Sequence, residues 1–246
     1  MISKRWPELS EKIKAVLFYP EIARILPRRF QQILLADVRR LGGKVMRFRQ
    51  PLRVLVESGR ALGIRTGKSV LYADHVINAA GSWAGEKGLC PAGYKLEPIR
   101  GQVLIVRGRL RLQPVLHDLG STYLVPWEKG TFLLGSTVER AGFKAAVNPA
   151  VLKRIHRRAG VLVPAVSTMK KTQSWAGLRP RAPDLLPLIG KTKIPGYWLA
   201  TGYYRSGIVI GVHAGEKLAD WIVSGRRPHE IAFASPLRRS VLRKAD

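Results

Sequence analysis

The chain has 246 residues, and 46% of them are hydrophobic, which is enough for a folded core and excludes a disordered protein. Its 43 Lys and Arg against 16 Asp and Glu give a net charge of +27, which favours an acidic partner, but the basic residues are spread along the chain and no nucleic-acid-binding signature accompanies them. A single cysteine, Cys90, excludes an internal disulfide and a cysteine metal cluster. No apolar run approaches the roughly 20 residues of a membrane span. We therefore expect a cytoplasmic protein, and peripheral contact with an anionic membrane surface stays open.

The first predicted helix begins at Pro27 and carries apolar residues at helical spacing up to Gly42-Gly43. Short strand-like runs follow, separated by turn residues at Gln50-Pro51, Ser58-Gly59 and Gly67-Lys68: KVMRF, RVLVE, ALGIR, SVLYA and HVINAA. These runs predict a meander of short antiparallel strands.

From Pro98 onward the strands QVLIV, TYLVPW and TFLLGS precede a helix that opens at Asn148-Pro149. The stretch TQSWAGLRPRAPDLLPLIG, with three prolines, predicts a loop-rich region. After it come the strand YWLAT, the turn GYYRSG and a helix to about Ser224, with Ser206 placed to cap it and Gly225 to end it. The apolar residues predicted to share one face of this helix are Ile208, Val212, Ala219 and Ile222.

Strand, glycine turn and helix therefore occur twice, in HVINAAGSWAGEKG and in LATGYYRSGIVIG. In the second, Gly202 allows a sharp turn, and the backbone N–H groups of Ser206, Gly207 and Ile208 stand at a helix start, where the dipole favours a phosphate or an anionic flavin ring. An ordinary βα turn is the alternative. Neither stretch has the spacing G-x-G-x-x-G.

Two side chains are candidates for binding a substrate. Arg179 lies between Gly177 and Pro180, on constrained backbone, and its guanidinium could bind a carboxylate through two hydrogen bonds, although a solvated arginine is the alternative. Tyr123 is either a half-buried strand aromatic or a site residue. Other chemistries lack support, because the five histidines show no metal-ligand spacing, G-x-S-x-G is absent and no acidic pair stands out, so we predict no metal site.

Six segments, in order between Leu17 and Gly225, resemble the D-amino-acid oxidase superfamily of flavoproteins, most of all glycine oxidase of the thiamine-biosynthesis type and D-amino-acid dehydrogenases. The segments are LFYPEIARILPRRF, HVINAAGSWAG, PIRGQVLIV, YLVPWEKGTFLLGSTVERAGF, WAGLRPRAPDLLPLIG and YWLATGYYRSGIVIG. The resemblance implies an FAD enzyme that oxidises the Cα–N bond of a small amino acid (glycine, sarcosine or a D-amino acid) to an imine, by hydride transfer to flavin N5. It does not distinguish oxygen from a quinone as the electron acceptor.

The resemblance also implies roles for individual residues. Arg179 would pair with the substrate carboxylate, Tyr123 would donate a hydrogen bond to it or close the pocket, and Arg205 would line the site near the flavin. The cofactor-binding positions would be the backbone of Leu52 at the adenine, the turn of Ala80, Gly81 and Trp83 along the pyrophosphate, Gly177 and Gly202 at the turns, and Ser206, Gly207 and Ile208 at the pyrimidine edge.

The sequence departs from the family pattern at several places. Tyr203 stands where the family usually has a histidine in GHFRNG, Ser206 replaces the asparagine of that turn, and PDLLP replaces PDGLP. The family's opening strand, G-x-G-x-x-G and helix have no counterpart, so at least one βαβ unit of roughly 30 residues is expected to be missing.

The predicted fold class is α/β (α+β), with an incomplete FAD-binding Rossmann-like domain interleaved with an antiparallel-sheet substrate domain. The predicted boundaries assign 21–97 and 173–246 to the FAD-binding part, and 1–20 and 98–172 to the substrate part. Besides an enzyme, the sequence leaves open a truncated or split-subunit homologue without independent catalysis, whose nucleotide-binding unit is a separate polypeptide. A homo-oligomer is also open, and a basic nucleic-acid-binding protein is the remote alternative.

Overall fold

The computed structural model describes residues 2–48, 52–120 and 122–242. The helices α1–α5 span Ile2–Arg5, Pro27–Arg40, Pro149–Leu162, Gly207–Ser224 and Arg239–Leu242. The strands β1–β12 span Leu52–Glu57, Arg60–Thr66, Ser69–Tyr72, Val76–Asn78, Glu97–Arg107, Leu116–His117, Tyr123–Pro126, Thr131–Gly135, Glu139–Arg140, Lys170–Arg181, Leu188–Lys191 and Tyr197–Thr201. The mixed α/β class is thereby confirmed.

The chain forms two compact units, each built from two separated stretches. The first unit consists of Met1–Arg40 and Arg100–Gly177, and the second of Leu41–Ile99 and Leu178–Asp246. The first unit includes α2, whose first turn contacts other residues of that unit. There the Arg28 guanidinium lies 5.9 Å from the Trp175 ring, and Arg29 lies 3.7 Å from a carboxylate oxygen of Glu128.

The first unit is built around a sheet with the strand order β10-β5-β8-β7-β6, in which β9 also pairs with β5. Helix α3 packs Val151, Ile155 and Ala159 into the core of this unit. Its N-cap forms as predicted, because the side chain of Asn148 accepts a hydrogen bond from the Ala150 N–H at 2.9 Å. Helix α2 also forms as predicted, but none of its residues is buried.

The second unit contains two three-stranded sheets, with the orders β1-β2-β3 and β11-β12-β4. The first is the predicted antiparallel meander, in register from Leu52↔Thr66 to Thr66↔Ser69. Strand β4, which was expected to extend the meander, instead pairs in parallel with β12. The run KVMRF at residues 44–48 was predicted to be a strand and is not one, and the predicted turn at Gln50-Pro51 lies outside the described residues.

In the region predicted to be rich in loops, residues 172–181 belong to strand β10 and residues 188–190 to strand β11, so that prediction was wrong for these residues. Strand β10 pairs with β5 and lies at the edge of its sheet. An edge strand can carry a proline such as Pro180, because part of its N–H groups face away from the partner strand and make no ladder hydrogen bond. The prolines were therefore compatible with a strand, but this could be recognised only once the pairing of β10 with β5 was known.

Helix α4 runs from Gly207 to Ser224 and ends at Gly225, as predicted. Ser206 stands at its N-cap position, but its hydroxyl donates to the Tyr203 carbonyl at 2.8 Å and does not cap the helix, contrary to the prediction. The apolar residues that were predicted to share one face of α4 are not the ones that it buries. The residues that α4 buries are Ala214, Leu218 and Trp221, whereas Ile208 and Val212 are 45% and 51% exposed.

Candidate functional site

The carboxyl ends of β4 and β12 lie side by side in the second unit. The two strands are parallel, and Leu199 is paired with Asn78. In α/β sheets, ligands bind beyond the carboxyl ends of parallel strands, where the following turns and helices begin. Both of the glycine turns singled out in the sequence leave the sheet at this end.

A hydrogen bond joins these two turns. The hydroxyl of Thr201, which is 1% exposed at the end of β12, donates to the carbonyl of Gly81 at 3.0 Å. Gly81 and Gly202 both adopt positive φ values, +56° and +75°, which is the left-handed region that glycine enters without strain. The structure therefore brings the predicted residues Ala80, Gly81 and Gly202 together.

Asn78, which was not among the residues predicted from the sequence, organises the first turn. The two hydrogens of its side-chain NH2 group are shared among three acceptors, the carbonyls of Ala84 and Leu89, each at 2.9 Å, and the Tyr197 hydroxyl at 2.8 Å. Its side-chain oxygen accepts from the Ala80 N–H at 3.1 Å. Burial raises the pKa of the Tyr197 hydroxyl, which keeps it neutral within this cluster. An asparagine at the end of a strand, three residues before a glycine, was the signal that could have identified this role.

The N-terminus of α4 presents unpaired donors at the same end of the sheet. Ser206 O accepts from the N–H groups of Val209 and Ile210, whereas those of Gly207 and Ile208 have no acceptor among the described residues. In the neighbouring turn Gly81–Gly85, the buried hydroxyl of Ser82 has no partner in the described part of the chain. Unpaired donors beside a helix dipole fit the polar or anionic edge of a nucleotide cofactor.

The remaining predicted cofactor residues are more dispersed. Trp83 is 49% exposed in the turn after β4, and Leu52 begins β1, where the Val54 N–H donates to the carbonyl of Gly88 at 2.9 Å. This bond ties the start of β1 to the segment that follows the Gly81 turn. Gly177 is exposed in β10, and a β-carbon there would meet nothing within 4 Å.

Arg179 lies near the end of β10 and is half-buried. Next to it, the carbonyl of Pro180 accepts a hydrogen bond from the Tyr204 N–H at 2.8 Å, and Arg181 bridges to Tyr203. The end of β10 is thereby attached to the turn that carries Arg205, which is exposed. Arg179 and Arg205 therefore stand on two backbone segments that hydrogen-bond to each other.

Tyr123 lies in β7 of the first unit and is half-buried. Its ring stacks on that of His117, with centroids 6.2 Å apart, and packs against the apolar cluster of Val103, Ile105 and Leu133. Arg179 and Tyr123 belong to different units. Their joint contact with one substrate therefore remains a prediction.

The arrangement in the second unit defines an α/β protein of the kind that binds a nucleotide cofactor at the ends of parallel strands. The chain belongs to the DAO family of FAD-dependent oxidoreductases, whose family match covers residues 1–221. The cofactor of this family is FAD.

Individual relatives agree with this assignment. The chain is 30% identical over 228 residues to a glycine oxidase from Pseudomonas aeruginosa, covering 90% of this chain and 62% of that protein. It is 31% identical over 181 residues to a D-amino acid dehydrogenase from Cereibacter sphaeroides, covering 72% of this chain and 41% of that protein. The crystal structure of glycine oxidase from Bacillus cereus superposes with a TM-score of 0.85 at 25% identity, over 93% of this chain and 64% of that one.

The chain thus spans less than two thirds of the length of the glycine oxidases that it matches. Within the described ranges, no helix is long and apolar enough to cross a membrane.

Proposed function

We propose that this chain supplies the substrate-binding region and part of the FAD-binding region of an oxidoreductase that acts on the Cα–N bond of a small amino acid. Glycine, sarcosine and D-amino acids are the candidate substrates. The observation that carries the proposal is the meeting of two glycine turns and a helix N-terminus at the carboxyl ends of β4 and β12, held by the hydrogen bond from Thr201 to Gly81. A cytoplasmic location is part of this proposal.

The cofactor-binding roles follow from the donors present. The N–H groups of Gly207 and Ile208 would hold the polar edge of the flavin, and the turn at Gly81 would lie along the pyrophosphate. When bound, FAD supplies the two-electron acceptor for the oxidation. The contribution of the chain is to hold cofactor and substrate in place.

The substrate-binding roles fall to Arg179, Tyr123 and Arg205. A guanidinium can bind a carboxylate through two parallel hydrogen bonds, which fixes both the position and the orientation of an amino acid. Arg179 suits this role because the bond from Tyr204 to Pro180 fixes its backbone beside the turn that precedes α4. The hydroxyl of Tyr123 would add a hydrogen bond to the same carboxylate, and Arg205 would line the pocket.

A nucleotide-binding unit outside these 246 residues is the partner that completes the site in this proposal. The sequence contains no two glycines in the spacing G-x-G, so it offers no dinucleotide fingerprint. In the described ranges β4 is paired only with β12, and Ile77 on β4 is 46% exposed. The edge of β4 that faces away from β12 can pair with a further strand, because an edge strand leaves backbone N–H and C=O groups available. The faces of parallel sheets are normally covered, which fits additional protein over Ile77. A separate polypeptide is one source of such a unit.

Titration of the purified chain with FAD tests the cofactor part of the proposal. Flavin absorbance that remains with the protein after gel filtration is the expected result, with affinity increasing when a strand–G-x-G-x-x-G–helix polypeptide is supplied. A protein that stays colourless under both conditions would contradict flavin binding at this site.

The Arg179→Ala variant tests the substrate part. In flavin-loaded protein we expect the KM for glycine to rise at least tenfold, because the substrate carboxylate loses its charged partner. Lys170→Ala, an exposed basic residue in the same strand, is the matched control and should leave the KM unchanged. Equal KM values for Arg179→Ala and the parent chain would overturn the assignment.

A further inference from the structure

A cavity of about 400 Å³ lies in the second unit at the amino end of β12. Its walls are the turn between β11 and β12 and the last turn of α4, including Trp221 and Ile222. The candidate cofactor turns lie at the other end of β12, roughly 13 Å away for four residue steps along a strand. The two sites are therefore separated by the length of the strand.

The charge of this cavity has one sign. Its lining includes Arg60, His75, Lys191 and Lys193, and none of its 13 lining residues is acidic. A concave site lined by one sign of charge concentrates the field and attracts the opposite charge. The cavity therefore favours an anionic ligand.

Two tryptophans among the lining residues pack against each other. Trp198 and Trp221 pack edge to face with ring centroids 5.4 Å apart, and they are 3% and 7% exposed. The ammonium of Lys191 lies 5.4 Å from the Trp198 ring and 5.8 Å from the Trp221 ring. These cation–π contacts hold the charge of a flexible lysine beside the two indole rings, which makes its position more defined than that of an ordinary surface lysine.

A histidine adds a directed hydrogen-bond donor. The indole N–H of Trp198 donates to His75 Nδ1 at 3.1 Å. Because Nδ1 accepts this bond, the proton of the neutral imidazole lies on Nε2. His75 is exposed, so Nε2–H can donate to a ligand in the cavity.

The walls are held in place by backbone hydrogen bonds. The carbonyls of Pro195 and Gly196 accept from the N–H groups of Ala61 and Val76, at 2.9 and 2.8 Å. The hydroxyl of Thr192 accepts from the Ile194 N–H at 3.1 Å and donates to the Tyr197 carbonyl at 3.0 Å. The turn is thus fixed at both ends, and binding would require little rearrangement.

We propose that this cavity binds a small aromatic anion, a planar ring that carries a phosphate or carboxylate group. The anionic group pairs with Lys191 and Arg60 and accepts from His75, and the ring lies against the apolar wall formed by Trp221 and Ile222. A volume near 400 Å³ is in the range of small-molecule sites and holds a single substituted ring. Inorganic phosphate alone would leave the apolar wall uncovered, and a neutral ring would leave the basic groups without a partner.

Titration of the 246-residue chain with phenyl phosphate at low ionic strength tests the proposal. Calorimetry and tryptophan fluorescence measure the binding. We expect saturable binding that changes the fluorescence, at least tenfold tighter than that of inorganic phosphate or phenol. Inorganic phosphate that binds as tightly as phenyl phosphate would overturn the proposal, because charge alone would then account for binding.

Matched lysine variants locate the site. Lys191→Gln should weaken phenyl phosphate binding at least fivefold, whereas Lys68→Gln, an exposed lysine in the turn between β2 and β3, should leave it unchanged. Equal effects of the two variants would overturn the proposal. The measurement needs no flavin, so its outcome is independent of the function proposed above.

Discussion

Gly135 provides the space that the ring of Tyr123 occupies. A β-carbon at residue 135 would stand 2.3 Å from Cζ and 2.4 Å from the hydroxyl oxygen of Tyr123. The two residues are also partners in the register of β7 and β8. The position of the proposed substrate-binding tyrosine thus depends on the absence of a side chain on the neighbouring strand.

Gly135→Ala is therefore expected to displace the Tyr123 ring and to lower the free energy of unfolding by about 1–3 kcal/mol, the usual cost of overpacking a buried site. Urea unfolding measures this loss, and in an active protein the KM for the amino acid should rise. Gly215→Ala is the control, because a β-carbon there meets nothing within 4 Å and alanine favours a helix. The double variant Tyr123→Ala/Gly135→Ala should lose less stability than the sum of the two single variants. Additive losses would show that the contact is not the cause.

Leu185 adopts a left-handed backbone conformation, with φ of +67°. It is the third residue of PDLLP, at the position where the family's PDGLP has glycine. A leucine in this region costs about 1–2 kcal/mol, and glycine relieves that cost but loses roughly 0.5–1 kcal/mol through chain entropy. We expect Leu185→Gly to raise the free energy of unfolding by up to about 1.5 kcal/mol.

The neighbouring residue is the control for this effect. Leu186 is 41% exposed, similar to the 53% of Leu185, and is not among the residues with positive φ. Leu186→Gly should therefore only lose stability, by roughly 0.5–1 kcal/mol. Chemical denaturation of the two variants should give shifts of opposite sign, and shifts of the same sign would contradict the argument from backbone strain.

The parts of the fold that depend on local signals could be predicted from the sequence. The ends of α3 and α4 followed from Asn148 and Gly225, and the first sheet from alternating runs between turn residues. The strand β10 could not be predicted, because Pro180 argues against a strand unless an edge position is known. The pairing of β4 with β12 could not be predicted either, because these two parallel strands are more than 100 residues apart in the sequence.

The spacing of apolar residues did not identify the buried face of α4, for a different physical reason. The helix carries apolar residues on several sides, so a period of 3.6 residues does not decide which side is buried. Packing against β11 and β12 selected Ala214, Leu218 and Trp221. In the candidate site, the two glycine turns were visible as a repeated pattern. The role of Asn78 was not, because its hydrogen-bond partners include Tyr197, which is distant in the sequence.

Thr201 connects the two turns of the candidate site, and its loss should loosen them. Thr201→Val keeps the side-chain shape but leaves the Gly81 carbonyl without the hydroxyl that it accepts from, at a cost of about 1–3 kcal/mol. We expect faster amide hydrogen exchange at residues 80–85 and weaker FAD binding. Thr66→Val removes a buried hydroxyl of the same unit away from these turns and is the control. Unchanged exchange in Thr201→Val would contradict this role.

The carboxylate of Asp184 is bound by Arg238 through two hydrogen bonds, from Nε at 2.6 Å and from Nη2 at 2.7 Å, and by the hydroxyl of Ser240 at 2.5 Å. The bonds from Arg238, aided by Ser240, outweigh the effect of burial and hold the pKa of Asp184 well below its usual range. The ion pair is mostly buried, with side chains 13% and 18% exposed. It anchors the segment that leads into α5.

This depressed pKa fixes the pH dependence of the contribution that Asp184 makes to stability. A group whose pKa is lower in the folded state stabilises the fold above its unfolded pKa, about 3.9 for aspartate, and loses this effect as the pH falls toward the folded value. At pH 7, Asp184→Asn should therefore lower the free energy of unfolding by about 1.5–3 kcal/mol, the range for hydrogen bonds to charged groups. The difference from the parent chain should narrow progressively below about pH 4. Asp220→Asn, which removes an exposed carboxylate 3.5 Å from Lys217, should change the stability far less at either pH. Urea unfolding between pH 7 and pH 3 measures both variants, and a loss for Asp184→Asn that stays constant across this range would show that its charge is not responsible.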